Sequence, residues 1–170
     1  MAASDKMLEN NEEELNDGHV VHYSYYICNL NTIKSWAFEK KFTTKCSVLS
    51  TSWQFKMLFQ QVPDATCSIT LRRTDEVKIS VMASMYVSLS RETQCSTYYS
   101  EKFEKNEMLP GQEVQKSIAE VIPNEHLSTT FFKKIDIAAT IIILNCHSMI
   151  KTDLKRNLKI LKKRMTISNM

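Results

Sequence analysis

The stretch "STSWQFKMLFQQ", residues 50–61, carries the clearest secondary-structure signal of the chain. Side chains of an extended strand point to alternate faces, so every second residue shares a face. Gln54 and Lys56 fall on one face. The opposite face collects four large apolar residues: Trp53, Phe55, Met57 and Phe59. The pattern predicts a strand with one buried face, and it makes Trp53 a core residue rather than a binding residue.

Working outward from this strand, short runs of β-branched and aromatic residues recur along the chain. They predict further strands at 20–28, 36–42, 67–73, 76–90, 96–103 and 137–149. The run at 76–90 is long enough for one extended strand or a bulged pair. Seven to eight short strands, with no alternating helices to connect parallel strands, predict an all-β fold, an antiparallel β-sandwich.

Two segments suggest helices instead. After Pro110 and Gly111, residues 112–121 place Val114, Ile118 and Val121 at helical spacing, which predicts a short helix. Residues 151–170 are expected to form a basic amphipathic helix. Its apolar stripe consists of Leu154, Leu158, Leu161 and Met165. Its basic patch consists of Lys155, Arg156, Lys159, Lys162, Lys163 and Arg164.

The chain divides by composition into three parts. Residues 1–18 are acidic and have a thin apolar face, which is typical of a flexible arm. Residues 19–150 form the predicted sandwich, and 151–170 form the basic tail. The net charge of +3 therefore hides opposite charges at the two ends of the chain.

Composition also excludes several classes of function. The chain has only 2 glycines, so it lacks the glycine-rich loops that bind nucleotides in Rossmann and P-loop folds. Its 5 cysteines are widely spread and include no C-x-x-C pair, which argues against a disulfide framework or a zinc site. With its polar N-terminus, the chain is expected to be intracellular, either cytoplasmic or nuclear.

No set of catalytic residues stands out. Cysteines and histidines of the types used by thiol proteases are present, but we interpret them as packing residues. They are Cys28, Cys95, Cys146, His126 and His147. His19 and His22 lie on a strand without nearby ligands. Asp75 and Glu76, beside Arg72 and Arg73, suggest a solvated turn. We therefore predict no catalytic residue, metal site, cofactor or small-molecule substrate.

Several short motifs, in order, resemble meprin and TRAF homology (MATH) domains. The family's W-x-I-x-N-F strand is matched by Tyr25, Ile27, Asn29 and Leu30. Its W-x-L-K-L-Y strand is matched by Trp53, Phe55, Lys56 and Met57. "CSITLRR" and "FKKIDIAATIIIL" resemble later strands of the family. The resemblance covers about residues 20–150, is nearest to the speckle-type POZ proteins, and includes no POZ domain.

The resemblance implies a TRAF-like sandwich that binds short peptide segments of partner proteins, as an adaptor or competitor in ubiquitin-ligase substrate recruitment. Tyr99 and Phe103 resemble the family's Y-R-F strand, and whichever of Tyr98 and Tyr99 points outward is the preferred contact residue. The expected peptide-binding residues are therefore Tyr98, Tyr99 and Phe103. Homo-oligomers are a further expectation. The alternative is a regulatory protein whose basic tail contacts nucleic acid or an acidic membrane surface.

Overall fold

The computed structural model describes residues 6–28, 35–60, 65–91, 97–120 and 134–147. These residues form nine strands: β1 (Lys6–Leu15), β2 (Gly18–Cys28), β3 (Ser35–Thr43), β4 (Ser52–Gln60), β5 (Thr66–Arg73), β6 (Val81–Arg91), β7 (Thr97–Met108), β8 (Glu113–Ile118) and β9 (Lys134–Leu144). Within these ranges no residue is helical, and no helix is long and apolar enough to cross a membrane.

The strands form two antiparallel sheets. The order is β1-β2-β9-β6-β7 in the five-stranded sheet and β3-β4-β5-β8 in the four-stranded sheet. One apolar core draws residues from both sheets. For example, the Tyr23 ring of β2 stacks on the Phe55 ring of β4, with centroids 5.9 Å apart. The prediction of an all-β antiparallel sandwich is confirmed at this level.

The opening prediction about β4 is also confirmed. Trp53, Phe55, Met57 and Phe59 are each at most 2% exposed. Lys56 and Leu58, on the other face, are exposed. The indole Nε1 of Trp53 donates a hydrogen bond of 2.8 Å to Thr51 Oγ1, so the buried polar atom of the ring has a partner.

Most of the acidic segment predicted as a flexible arm, Lys6–Leu15, instead forms β1. It pairs with β2 through a hairpin in which Leu15 lies opposite Gly18. The prediction was wrong because it weighed only apolar side chains. A strand at the edge of a sheet is held by backbone hydrogen bonds, and charged side chains are common there.

The helix predicted at 112–121 is likewise wrong, since β8 occupies Glu113–Ile118. Val114 and Ile118 are four residues apart, a spacing that places them on one face of a helix but also on one face of a strand. Both pack against the core, with Val114 opposite Leu71 and Ile118 opposite Cys67 on β5. Pairing with β5 shows that the segment forms a strand and not a helix.

The predicted strand at 76–90 begins only at Val81. Residues 74–80 are irregular, and their carbonyl groups turn toward the side chain of Arg73, which accounts for the late start of β6. The predicted strand at 137–149 ends at Leu144, because Asn145 adopts a φ of 67°. The tail at 151–170 lies outside the described residues.

Candidate functional site

The expected peptide-binding residues lie on β7, an outer strand of the five-stranded sheet. Tyr99 and Phe103 are four residues apart and so share a face. Phe103 is 8% exposed and belongs to the core, whereas Tyr99 is half-buried and packs against it. The side chain of Tyr98 is outside the described residues. Of the two side chains that are described, Tyr99 is therefore the more accessible for contact with a ligand.

Polar groups connect Tyr99 to the other sheet. The Tyr99 hydroxyl donates a hydrogen bond to Glu101 on β7. Glu101 Oε1 also lies 3.3 Å from Lys116 Nζ on β8, and this ammonium lies 6.0 Å from the centroid of the Phe103 ring. We call Tyr99, Glu101, Phe103 and Lys116 the β7–β8 edge.

The charges at this edge are coupled. The hydrogen bond from Tyr99 lowers the pKa of Glu101, and Lys116 adds to this effect. Burial raises the pKa of Tyr99, and the neighbouring Glu101 raises it further. At neutral pH the edge therefore presents the carboxylate of Glu101 and the neutral phenol of Tyr99.

The backbone of this edge is also relevant to binding. In the part of the chain that the structure describes, β7 pairs only with β6, and β8 pairs only with β5. β7 and β8 contact each other across the two sheets. Outer strands of this kind carry backbone N–H and C=O groups that an added strand can use.

A second group of polar residues, which the sequence did not indicate as one site, lies where β2 begins and β9 ends. His19 lies opposite Ile143 in the β2–β9 ladder, so the residues just after β9 are close to it. Cys146 and His147 are two of these, and Cys46 approaches from the β3–β4 loop. One potential metal-binding atom from each of the four residues lies within 4.8 Å of the others. We call these residues the His–Cys cluster.

The two rings of the cluster meet edge to face, with centroids 5.1 Å apart and planes at 86°. His19 Nε2 and His147 Nε2 are separated by 3.2 Å. His19, Cys46 and Cys146 are buried, and His147 is partly buried. The cluster is therefore a nearly closed site that contains two thiols and two imidazoles, the donor types that Zn²⁺ prefers.

Acidic residues of β1 surround the cluster. Glu12 Oε1 lies 3.2 Å from His19 Nδ1 and accepts a hydrogen bond of 2.7 Å from the Lys45 amide. Glu14 Oε1 lies 3.7 Å from His147 Nε2. The carboxylate of Glu12 thus fixes one side of the His19 ring and turns Nε2 toward the other three residues.

The Cys146 thiol of the cluster does not have the character of a nucleophile. Burial raises the pKa of Cys146 to about 12, and the nearby Cys46 adds to the shift. A nucleophilic cysteine instead needs a lowered pKa, so that the thiolate is present at neutral pH. The other cysteine and histidine proposed for a thiol protease, Cys95 and His126, lie outside the described residues, and nothing is described of the Cys28 side chain.

Asp75 and Glu76, which we interpreted as part of a solvated turn, have different environments. Arg73 is 0% exposed, and Asp75 is largely buried beside it. The interpretation as a solvated turn is therefore wrong for the Arg73–Asp75 pair. A groove of ≈ 940 Å³ runs next to them. Both carboxylate oxygens of Asp75 accept hydrogen bonds from Arg73 and from backbone amides. We therefore assign the pair a structural role.

Comparison with known protein families finds no family model that matches this chain, and comparison with curated proteins finds no match. The basic patch of the tail, from Lys155 to Arg164, lies outside the described residues. Nucleic-acid or membrane contact through the tail stays a prediction.

Proposed function

We propose that the chain is a noncatalytic protein-interaction module of the MATH type, which binds an extended peptide segment of a partner at the β7–β8 edge. The observation that carries this proposal is the position of Tyr99. Its half-buried ring lies on the same face of β7 as the core residue Phe103, and its hydroxyl donates to Glu101 of the Glu101–Lys116 pair. An aromatic group beside charged groups and an outer strand is the combination that peptide-binding domains use.

Each part of the edge has a separate role in this proposal. The outer strands supply backbone hydrogen bonds, which hold any peptide in an extended form. Tyr99 supplies apolar area and a hydroxyl group, and Lys116 and Glu101 select peptides by charge. As the resemblance to speckle-type POZ proteins implies, the bound segments would belong to substrates of a ubiquitin ligase, with the chain acting inside the cell as adaptor or competitor.

The test is selection of binders from a random peptide library displayed on phage, with the full chain as bait. Lys116→Ala is the informative variant, and Lys56→Ala is its matched control. Both lysines pair with a glutamate, at 3.3 Å for Lys116–Glu101 and 3.2 Å for Lys56–Glu39, and both are about half-exposed. Neither substitution should affect folding by more than about 0.5 kcal/mol.

We expect selected peptides to lose affinity on Lys116→Ala and on Tyr99→Phe, but to retain it on Lys56→Ala. If the selection returns no peptide with saturable binding, the proposal is wrong. Peptides that bind all variants equally would place the binding site elsewhere on the sandwich. A dimer that forms through this edge, and that the same two variants weaken, would make a second copy of the chain the partner.

A further inference from the structure

We propose that His19, Cys46, Cys146 and His147 bind one zinc ion in a tetrahedral site that has a structural role. The proposal is independent of peptide binding, because none of the four residues belongs to the β7–β8 edge. It also departs from the expectation from the sequence, in which the spread of the cysteines argued against a zinc site.

The distances agree with this geometry. Bonds of about 2.0–2.1 Å to nitrogen and about 2.3 Å to sulfur, arranged as a tetrahedron, place the ligand atoms roughly 3.3–3.8 Å apart. The two Nε2 atoms are already 3.2 Å apart, and all four ligand atoms lie within 4.8 Å. Small side-chain rotations would therefore complete the tetrahedron without moving a strand.

Neighbouring groups orient the ligands in the way that zinc sites require. A zinc-bound histidine usually donates a hydrogen bond from its other ring N–H to a carboxylate or a carbonyl group. Glu12 Oε1 is 3.2 Å from His19 Nδ1 and can accept this bond. The Leu49 amide donates a hydrogen bond of 3.3 Å to Cys46 Sγ. That bond remains available when the thiol loses its proton, and it then stabilises the negative charge on sulfur.

The backbone around Cys46 is fixed before any ion binds. The Thr44 amide donates to the Thr51 carbonyl over 2.9 Å, and the Thr51 amide donates to Thr44 Oγ1 over 3.0 Å. These bonds close the base of the β3–β4 loop. His19 and Cys146 are held by the β2–β9 ladder and by the bond from the Asn145 amide to the Asp17 carbonyl.

The location of the cluster explains what a zinc ion would do. Three ligands come from β2 and from the end of β9, in the five-stranded sheet, while Cys46 belongs to the loop of the four-stranded sheet. Glu12 adds β1, because it contacts both His19 and the Lys45 amide. One ion would thus connect both sheets and the N-terminal strand. Four protein ligands leave no position for a substrate, which is typical of structural zinc.

A disulfide between Cys46 and Cys146 is the competing explanation for the two thiols. It would leave the two imidazoles joined only by the hydrogen bond between their Nε2 atoms, and it would not explain why both nitrogens lie beside the two thiols. Zinc accounts for all four side chains. Its charge is also neutralised by two thiolates, so the filled site can be buried without a net charge.

The test uses the full chain, purified under reducing conditions, with Zn²⁺ alone as the probe. We expect one zinc ion per chain after dialysis, and Co²⁺ in its place should give the visible absorption of a tetrahedral thiolate complex. Because His147 and Glu12 are only partly buried, His147→Ala and Glu12→Gln should fold. Glu12→Gln should weaken zinc binding by about 10–100-fold, as for other groups that orient ligands, and His147→Ala should weaken it more.

Two matched controls separate the cluster from other cysteines and histidines. Cys67→Ala removes a buried thiol on β5, and His22→Ala removes a partly buried imidazole that contacts Thr140 instead. Both variants should bind zinc as tightly as the unmodified chain. The proposal is overturned by substoichiometric zinc or by equal zinc affinity in His147→Ala and His22→Ala. It is also overturned if the purified chain has a mass two hydrogens below that of the fully reduced chain and peptide mapping assigns the loss to a Cys46–Cys146 disulfide.

Discussion

Asp75→Asn removes the charge of a buried side chain while preserving its shape. Its partner Arg73 has five N–H donors, and five acceptor contacts surround it. The carboxylate of Asp75 accepts hydrogen bonds from Arg73 Nε and Nη2, each of 2.9 Å. The other three acceptors are the carbonyl groups of Val77, Ile79 and Met108. The Asp75 carboxylate also accepts hydrogen bonds from the amides of Ser52 and Val77.

The expected cost follows from these contacts. An asparagine at position 75 offers one acceptor oxygen and an NH₂ group, and each oxygen of Asp75 accepts from one guanidinium N–H and one backbone amide. In either orientation the NH₂ would therefore face two donors. In addition, the guanidinium of Arg73 stays buried without an anionic partner. Breaking a buried ion pair in this way costs about 3–5 kcal/mol.

Urea unfolding followed by tryptophan fluorescence measures this cost, since Trp36 and Trp53 are both buried. With a slope of about 2 kcal/mol per molar urea, the midpoint should fall by roughly 1.5–2.5 M. Glu76→Gln is the control, because this adjacent carboxylate is exposed and should change stability by less than about 0.5 kcal/mol. Equal midpoints for Asp75→Asn and Glu76→Gln would refute the assignment of a structural role to Asp75.

Three further predictions follow from single contacts. Burial opposes ionisation of Asp75, but hydrogen bonds from Arg73, Ser52 and Val77 outweigh this effect and lower the pKa of Asp75 below the usual 3.8. The ionised carboxylate should therefore stabilise the fold fully above pH 3.8, and this stabilisation should disappear as the pH falls further. Unfolding curves of the unmodified chain and of Asp75→Asn should accordingly converge in acid. A Cβ at Gly18 would lie 1.9 Å from the Ile143 carbonyl oxygen, whereas Gly111 has open space and a φ of 78°. In thermal unfolding, Gly18→Ala should cost about 3 kcal/mol or more of stability and Gly111→Ala about 1–2 kcal/mol. A larger cost at Gly111 than at Gly18 would contradict the β2–β9 register. The buried Tyr23 hydroxyl has no hydrogen-bond partner among the described residues. Tyr23→Phe should therefore raise the free energy of unfolding by about 1 kcal/mol. A lower free energy of unfolding would instead show that the hydroxyl has a partner.

The features that were predicted correctly from the sequence depend on local periodicity. The alternation of Trp53, Phe55, Met57 and Phe59 identifies β4 without knowledge of its neighbours, because burial on one face is visible within nine residues. Trp53→Ala is accordingly expected to cost about 3–5 kcal/mol. The spacing of Val114 and Ile118 fits a helix and a strand equally, and only the pairing with β5 shows that the strand forms.

The features that were missed depend on contacts between distant residues. Cys46 and Cys146 are far apart in the chain, and their approach requires both the β2–β9 ladder and the position of the β3–β4 loop. The adjacent Cys146 and His147, directly after a strongly apolar strand, were the only local signal. Arg73 and Asp75 looked solvent-exposed because charged residues usually are, and nothing local shows that five acceptors surround the guanidinium.

The His–Cys cluster and the Arg73–Asp75 pair both involve the β3–β4 segment of the sandwich. Cys46 lies within the β3–β4 loop, and Ser52, at the start of β4, donates its amide to Asp75. Trp53 follows directly and is fully buried. Polar side chains at the two sides of one loop therefore fix the entry into β4, which has one fully buried face. The β7–β8 edge lies on other strands, so zinc removal should lower thermal stability while the peptide affinity measured on the remaining folded protein stays unchanged. A parallel loss of both would mean that the edge depends on the cluster, and the two proposals would then have to be joined into one.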